Sequence, residues 1–79
     1  MNQTINSPVS VTALSFGRDM RATPKRMEWG GRVYDFIDRG IHVRSRRGEQ
    51  VIDTVTCSDG NQNFCLRSSG ARWILVGIY

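Results

Sequence analysis

The run His42-Val43-Arg44-Ser45-Arg46-Arg47 is where this sequence concentrates groups able to hold or transform a ligand. Read as a strand, it puts His42, Arg44 and Arg46 on one face and turns Val43 towards a core, while Arg47 carries the charge into a following turn. A row of this kind can follow a phosphate backbone, each neutralised phosphate adding to a salt-dependent affinity. The same row also serves as a solvated face that guards an edge against aggregation. Both readings stand at this level. Tyr34 and Tyr79 are expected beside the row as stacking platforms for bases. Trp29 and Trp73, large and apolar, are expected in the core.

Catalytic chemistry finds little to work with. His42 is the single histidine, and a nucleophilic mechanism needs a Ser or Cys held against such a base. Neither Cys57 nor Cys65 sits in a recognisable nucleophile context. Two cysteines and one histidine without C-x-x-C spacing do not make a zinc site. Asp35 and Asp38, three apart on a strand, point to opposite faces and do not form a carboxylate pair. No G-x-x-x-x-G-K-[ST] loop is present to cradle phosphates. The expectation is a chain that is not an enzyme and takes no metal and no cofactor. Cys57 and Cys65 flank a turn and are expected as buried free thiols, with a bridge across a hairpin as the sharper alternative.

The elements that position these groups read as short strands. Val9 to Phe16 alternates as a first strand, with Val9, Val11 and Ala13 on one side and Leu14 and Phe16 on the other. Gly17 to Pro24 reads as a loop or a short helical turn, ended by Pro24, which biases its predecessor Thr23 to extended backbone. Lys25 to Trp29 and Arg32 to Asp38 flank Gly30-Gly31, a two-residue hairpin signal that needs positive φ at both positions. Gly40 is expected as a bulge or kink before Ile41, His42 and Val43 resume the strand. Gln50 to Cys57, Asn63 to Arg67 and Ala71 to Tyr79 complete the series, with turns at Arg46 to Glu49, Ser58 to Asn61 and Ser68 to Gly70. The fold class is therefore all-β: a small antiparallel meander of about six strands, of SH3-like size, forming a barrel or strongly curved sheet. Strand order is expected to follow the chain. The expected core is Leu14, Phe16, Trp29, Val33, Phe36, Ile41, Val43, Val51, Val55, Phe64, Leu66, Trp73, Leu75 and Ile78. Residues 1–8 are expected as a disordered tail before a single domain over 9–79.

Length and charge bound the function. A chain of 79 residues buries only about 60–65% of its unfolded surface, so one core takes nearly all the apolar residues and leaves little for a deep reaction chamber. The formal charge is +4, and ten of the eleven Lys and Arg residues are Arg, the side chain suited to bidentate contacts with phosphate and carboxylate. That bias leans towards nucleic acid or an acidic protein surface. The first residues carry no basic cluster or apolar stretch of a secretory signal, and no apolar run approaches the ~20 residues that span a bilayer. A cytoplasmic location without membrane association is expected.

A family likeness lies in residues 25–79. The segments Met27-Glu28-Trp29-Gly30-Gly31-Arg32-Val33-Tyr34, Asp53 to Gly60, Phe64-Cys65-Leu66-Arg67 and Arg72-Trp73-Ile74-Leu75-Val76-Gly77-Ile78-Tyr79 resemble a small bacterial all-β domain of unassigned activity. Such domains are free-standing or form the C-terminal piece of Y-family polymerase-like subunits of mutagenic lesion bypass. The resemblance implies an adaptor role around DNA repair and carries over no functional residue. Two functions follow as expectations. The first is a binding module that contacts nucleic acid, or a protein that handles it, through His42, Arg44, Arg46, Arg47 and Tyr34. The second is a protein-protein or homodimerisation module that uses Trp73, Leu75 and Tyr79 of the last strand, suited to edge pairing.

Overall fold

The computed structural model describes residues 3–17, 21–69 and 72–79. They form seven strands: β1 (Gln3–Phe16), β2 (Ala22–Trp29), β3 (Arg32–Asp35), β4 (Ile41–Arg47), β5 (Gln50–Ser58), β6 (Asn63–Ser69) and β7 (Arg72–Ile78). All pairings are antiparallel within one sheet, in the order β3-β2-β1-β7-β6-β5-β4. Among the described residues there is no helix, and so none long and apolar enough to cross a membrane.

The order does not follow the chain. β3 and β4, consecutive in sequence, lie at opposite edges. The stretch expected as one kinked strand from Arg32 onwards is two strands, and the count is seven. The reason is the long β1. Its first half pairs with β7, from Gln3 opposite Ile78 to Val9 opposite Trp73, and its second half pairs with β2, from Ser10 opposite Glu28 to Phe16 opposite Ala22. Residues 3–8, expected in a disordered tail, are thus part of the sheet centre, where the β7 ladder satisfies their backbone groups. β2 likewise begins at Ala22, inside the stretch expected as a loop. Residues 70 and 71 lie outside the described residues, and with them part of the expected turn at Ser68 to Gly70.

Interruptions in register bend the sheet. They occur in β1 between Thr4 and Ser7, around Asn6 with its φ of 53°, and again on either side of Ala13. Another lies in β6 between Cys65 and Leu66. Bulges of this kind kink a strand and increase its twist. The sheet curls on itself but is not closed into a barrel: the edge strands β3 and β4 do not pair. Residues 36–40 close the gap instead. The N–H of Phe36 donates to the carbonyl of Lys25 (2.9 Å), and that of Ile37 to the carbonyl of Ser58 (2.9 Å). The Asp38 carboxylate accepts from the N–H of Ser58 (3.1 Å), while Lys25 Nζ donates to the Asp38 carbonyl (3.0 Å). This clasp ties β2 to β5 across the open side.

Inside the curl lie Met27, Phe36, Val55, Cys57, Phe64, Leu66, Leu75 and Ile78, with Ile5, Val9, Val11, Trp29, Tyr34 and Trp73 packed around them. Six expected core residues are instead exposed: Leu14, Phe16, Val33, Ile41, Val43 and Val51. Register explains the swaps. Directly opposed residues share a face, and Val33 stands opposite exposed Glu28, while Tyr34 stands opposite buried Met27. Val43 stands opposite Thr54, whereas its neighbour His42 stands opposite Val55, which is 2% exposed.

A cationic cleft at the open side of the curl

His42, Arg44 and Arg46 do share one face of β4, but it is the inward face. Their partners on β5 are Val55, Asp53 and Val51, so the row starts at the rim of the core and runs outwards from it. At the buried end His42 Nε2 and Thr23 Oγ1 share a hydrogen bond of 2.9 Å, which joins β4 to β2 across the gap that the clasp spans. Arg44 Nε donates to Asp53 Oδ1 at 2.9 Å, and this bond, ahead of the Coulombic attraction, holds the Asp53 carboxyl below its ordinary range.

Facing the row, the end of β1 and the start of β2 complete a cleft of about 610 Å³. Ser15, Phe16 and Gly17 line one wall; Arg21, Thr23 and Lys25 the next; Arg39, Gly40 and His42 the third. An adjoining recess of about 170 Å³ shares Arg21 and His42 and adds Ala22, Arg44, Asp53, Ser68 and Trp73. Arg44, Asp53, Ser68 and Trp73 stand in one cross-strand row, each opposite the next across β4, β5, β6 and β7. Two stretches of chain, residues 21–25 and 39–44, thus bring Arg21, Lys25, Arg39, His42 and Arg44 to one concavity. Asp53 is the one acidic residue among those lining it.

The other expected contacts are distributed differently. Arg46 is exposed further along the inward face, and Arg47, opposite Gln50, falls on the outward face. Tyr34 packs into the core, its ring centroid 5.2 Å from that of Phe64 and 6.3 Å from that of Trp29, and offers no platform beside the cations. Leu75 is fully buried, Trp73 half-buried and Tyr79 about half exposed. β7 lies between β1 and β6, so its two edges are already paired and it cannot accept an added strand. The free edges belong to β3 and β4. Arg21, Lys25, Arg39 and Phe16 were not singled out by sequence reasoning. The excess of Arg points towards the two arginines; Phe16 is expected in the core, and nothing local marks Lys25.

His42 Nε2 bonds Thr23 Oγ1, and the Cys57 thiol lies against the Pro24 carbonyl at 4.0 Å. Cys57 stands opposite Phe64 and points into the core, whereas Cys65, opposite Thr56, lies on the other face, so the two cannot face each other across the hairpin; both are free thiols. Burial pushes the Cys57 thiol up to about 12, the reverse of the shift that activates a nucleophile. Among the described residues no group of three or more His, Cys, Asp or Glu side chains is placed to hold a metal ion. Comparison of the chain with protein-family models, with curated proteins and with solved structures returned no match.

Proposed function

We propose that this protein is a non-enzymatic binding module that takes the phosphate backbone of a nucleic acid into the cleft between β2 and β4. The carrying observation is the convergence of Arg21, Lys25, Arg39, His42 and Arg44, from two stretches of chain at the start of β2 and the start of β4, on one concavity with a single acidic lining residue. Concave walls of low dielectric focus the field of such a cluster and raise the local concentration of anions. Arg side chains add forked donors that match phosphate oxygens in pairs. Arg46, further along the same face, extends the track.

Fluorescence anisotropy with labelled single- and double-stranded DNA and RNA, begun at low salt and repeated through a salt series, tests this reading. With about four phosphates neutralised, the logarithmic slope against salt is about −3, and affinity falls about 50-fold between about 50 and 200 mM salt. Arg39→Gln reduces the magnitude of that slope by about one. Binding that ignores salt, or a preference for polyglutamate over every nucleic acid, would refute the proposal.

A further inference from the structure

The same cleft carries a second kind of surface. Phe16, expected in the core, is 62% exposed at the end of β1, where it lines the cleft beside Arg21 and across from Arg39 and His42. Trp73, half-buried, lines the adjoining recess with Arg21, His42 and Arg44. The two aromatics therefore flank one cationic centre, in the order Phe16, then Arg21 with His42, then Trp73. We propose that the cleft is built for single-stranded nucleic acid, with bases stacking on Phe16 and Trp73 while the cations between them hold the intervening phosphates.

This rests on the nucleic-acid reading and narrows it to a strand type. Two features favour a single strand. A duplex hides its base faces in its own stack and offers a concave surface only phosphates and groove edges, so an aromatic at the cleft would meet no π-face. Duplex readers send a helix or a two-stranded ribbon into a groove, whereas here the cations and Trp73 line the inside of a curl. A single strand presents base faces and phosphates in turn, and alternating aromatic and cationic side chains match that sequence. The mode tolerates any base sequence, because every base has a face to stack.

An oligothymidylate of about 12 nucleotides, within the roughly 4–16 that a small β domain covers, is the probe, compared with an oligomer of the same length with abasic sites and with a duplex. The wild-type protein is expected to bind the oligothymidylate about tenfold more tightly than either the abasic oligomer or the duplex. Phe16→Ala, at an exposed site, loses affinity for the oligothymidylate several-fold and loses little for the abasic oligomer, so the double-mutant cycle shows coupling between ring and base. Phe16→Tyr retains the affinity. Because replacing Trp73 perturbs the packed layer, that ring is read in place: in Trp29→Phe protein, whose remaining tryptophan is Trp73, fluorescence is quenched by the oligothymidylate and not by the abasic oligomer. Equal, salt-sensitive affinity for all three probes with no Phe16 coupling would overturn the stacking proposal and leave the phosphate reading intact. Absence of salt-sensitive binding to any of them would overturn both.

Discussion

Replacing Gly40 by Ala tests the clasp and the cleft wall together. Gly40 has φ +72°, in the left-handed region, and a β-carbon built there would lie 2.7 Å from Val55 Cγ2, 3.3 Å from Cys57 Sγ and 3.4 Å from Thr23 Cγ2. Val55 is β-branched, stiff at χ1 and 2% exposed, so it cannot step aside without disturbing Cys57 and Leu66 in the same layer. The backbone penalty is about 1–3 kcal/mol and the crowding about 1–3 more, so Gly40→Ala costs about 2–6 kcal/mol. A domain of this length holds about 4–12 kcal/mol in total. Gly48→Ala is the matched control: its φ is +59°, but the new β-carbon would meet nothing within 4 Å, which leaves the backbone penalty alone. Urea unfolding of both variants separates the two effects. With a slope of about 1 kcal/mol per molar urea for a small protein, the Gly40→Ala midpoint falls about 1–3 M below that of Gly48→Ala at unchanged slope. Coincident midpoints would show that Val55 does not press on position 40, and the packing of the clasp against β5 described above would be refuted.

Two further outcomes are expected. Asp53→Asn keeps an acceptor for Arg44 and removes the negative charge from the cleft, so oligonucleotide affinity at low salt rises about two- to fivefold while stability changes by less than about 1 kcal/mol; anisotropy and thermal melting check the pair. The Cys57 thiol stays protonated in the fold to about pH 12, whereas an unfolded thiol ionises near its ordinary value of 9.0. The unfolded chain then binds fewer protons, so stability falls as pH rises from about 9 towards 12, with a limiting slope of about 1.4 kcal/mol per pH unit. Cys57→Ala lacks this component, and urea titrations of the two proteins across that window should diverge accordingly.

Much of the strand content was legible in the sequence because turn chemistry is local. Gly30 and Gly31, both at positive φ, join β2 to β3, and Asp59 accepts from the N–H groups of Asn61 and Gln62 to shape the turn between β5 and β6. The alternation of β1 holds, with Val9, Val11 and Ala13 on one face, but that face is the inward one and the Leu14 and Phe16 face expected in the core is exposed. The pairing of distant strands was not legible. Ile41 and Val43 look like core residues by hydropathy, and only the register with Thr56 and Thr54 turns them outwards while bringing His42 in. Leu14 and Phe16 fall past the irregularities around Ala13, which no turn residue announces. The cleft was therefore half visible: the His42 and Arg44 wall belongs to one strand with Arg39 just before it, whereas Arg21 and Lys25 join it only through the curl of the sheet.

The sheet is two meanders set back to back, β1 to β3 and β4 to β7, and their shared seam pairs residues 3–9 with residues 73–78. Each meander can zip locally, but the seam closes a loop of nearly the whole chain, an entropic cost that delays it. The clasp lies at the junction between the two meanders and the ligand cleft lies beside it. Lys25 and Arg39 are drawn together by the clasp over a short span of chain, whereas Arg21 and Trp73 come from different meanders, so the recess they share is complete only when the two meanders are docked.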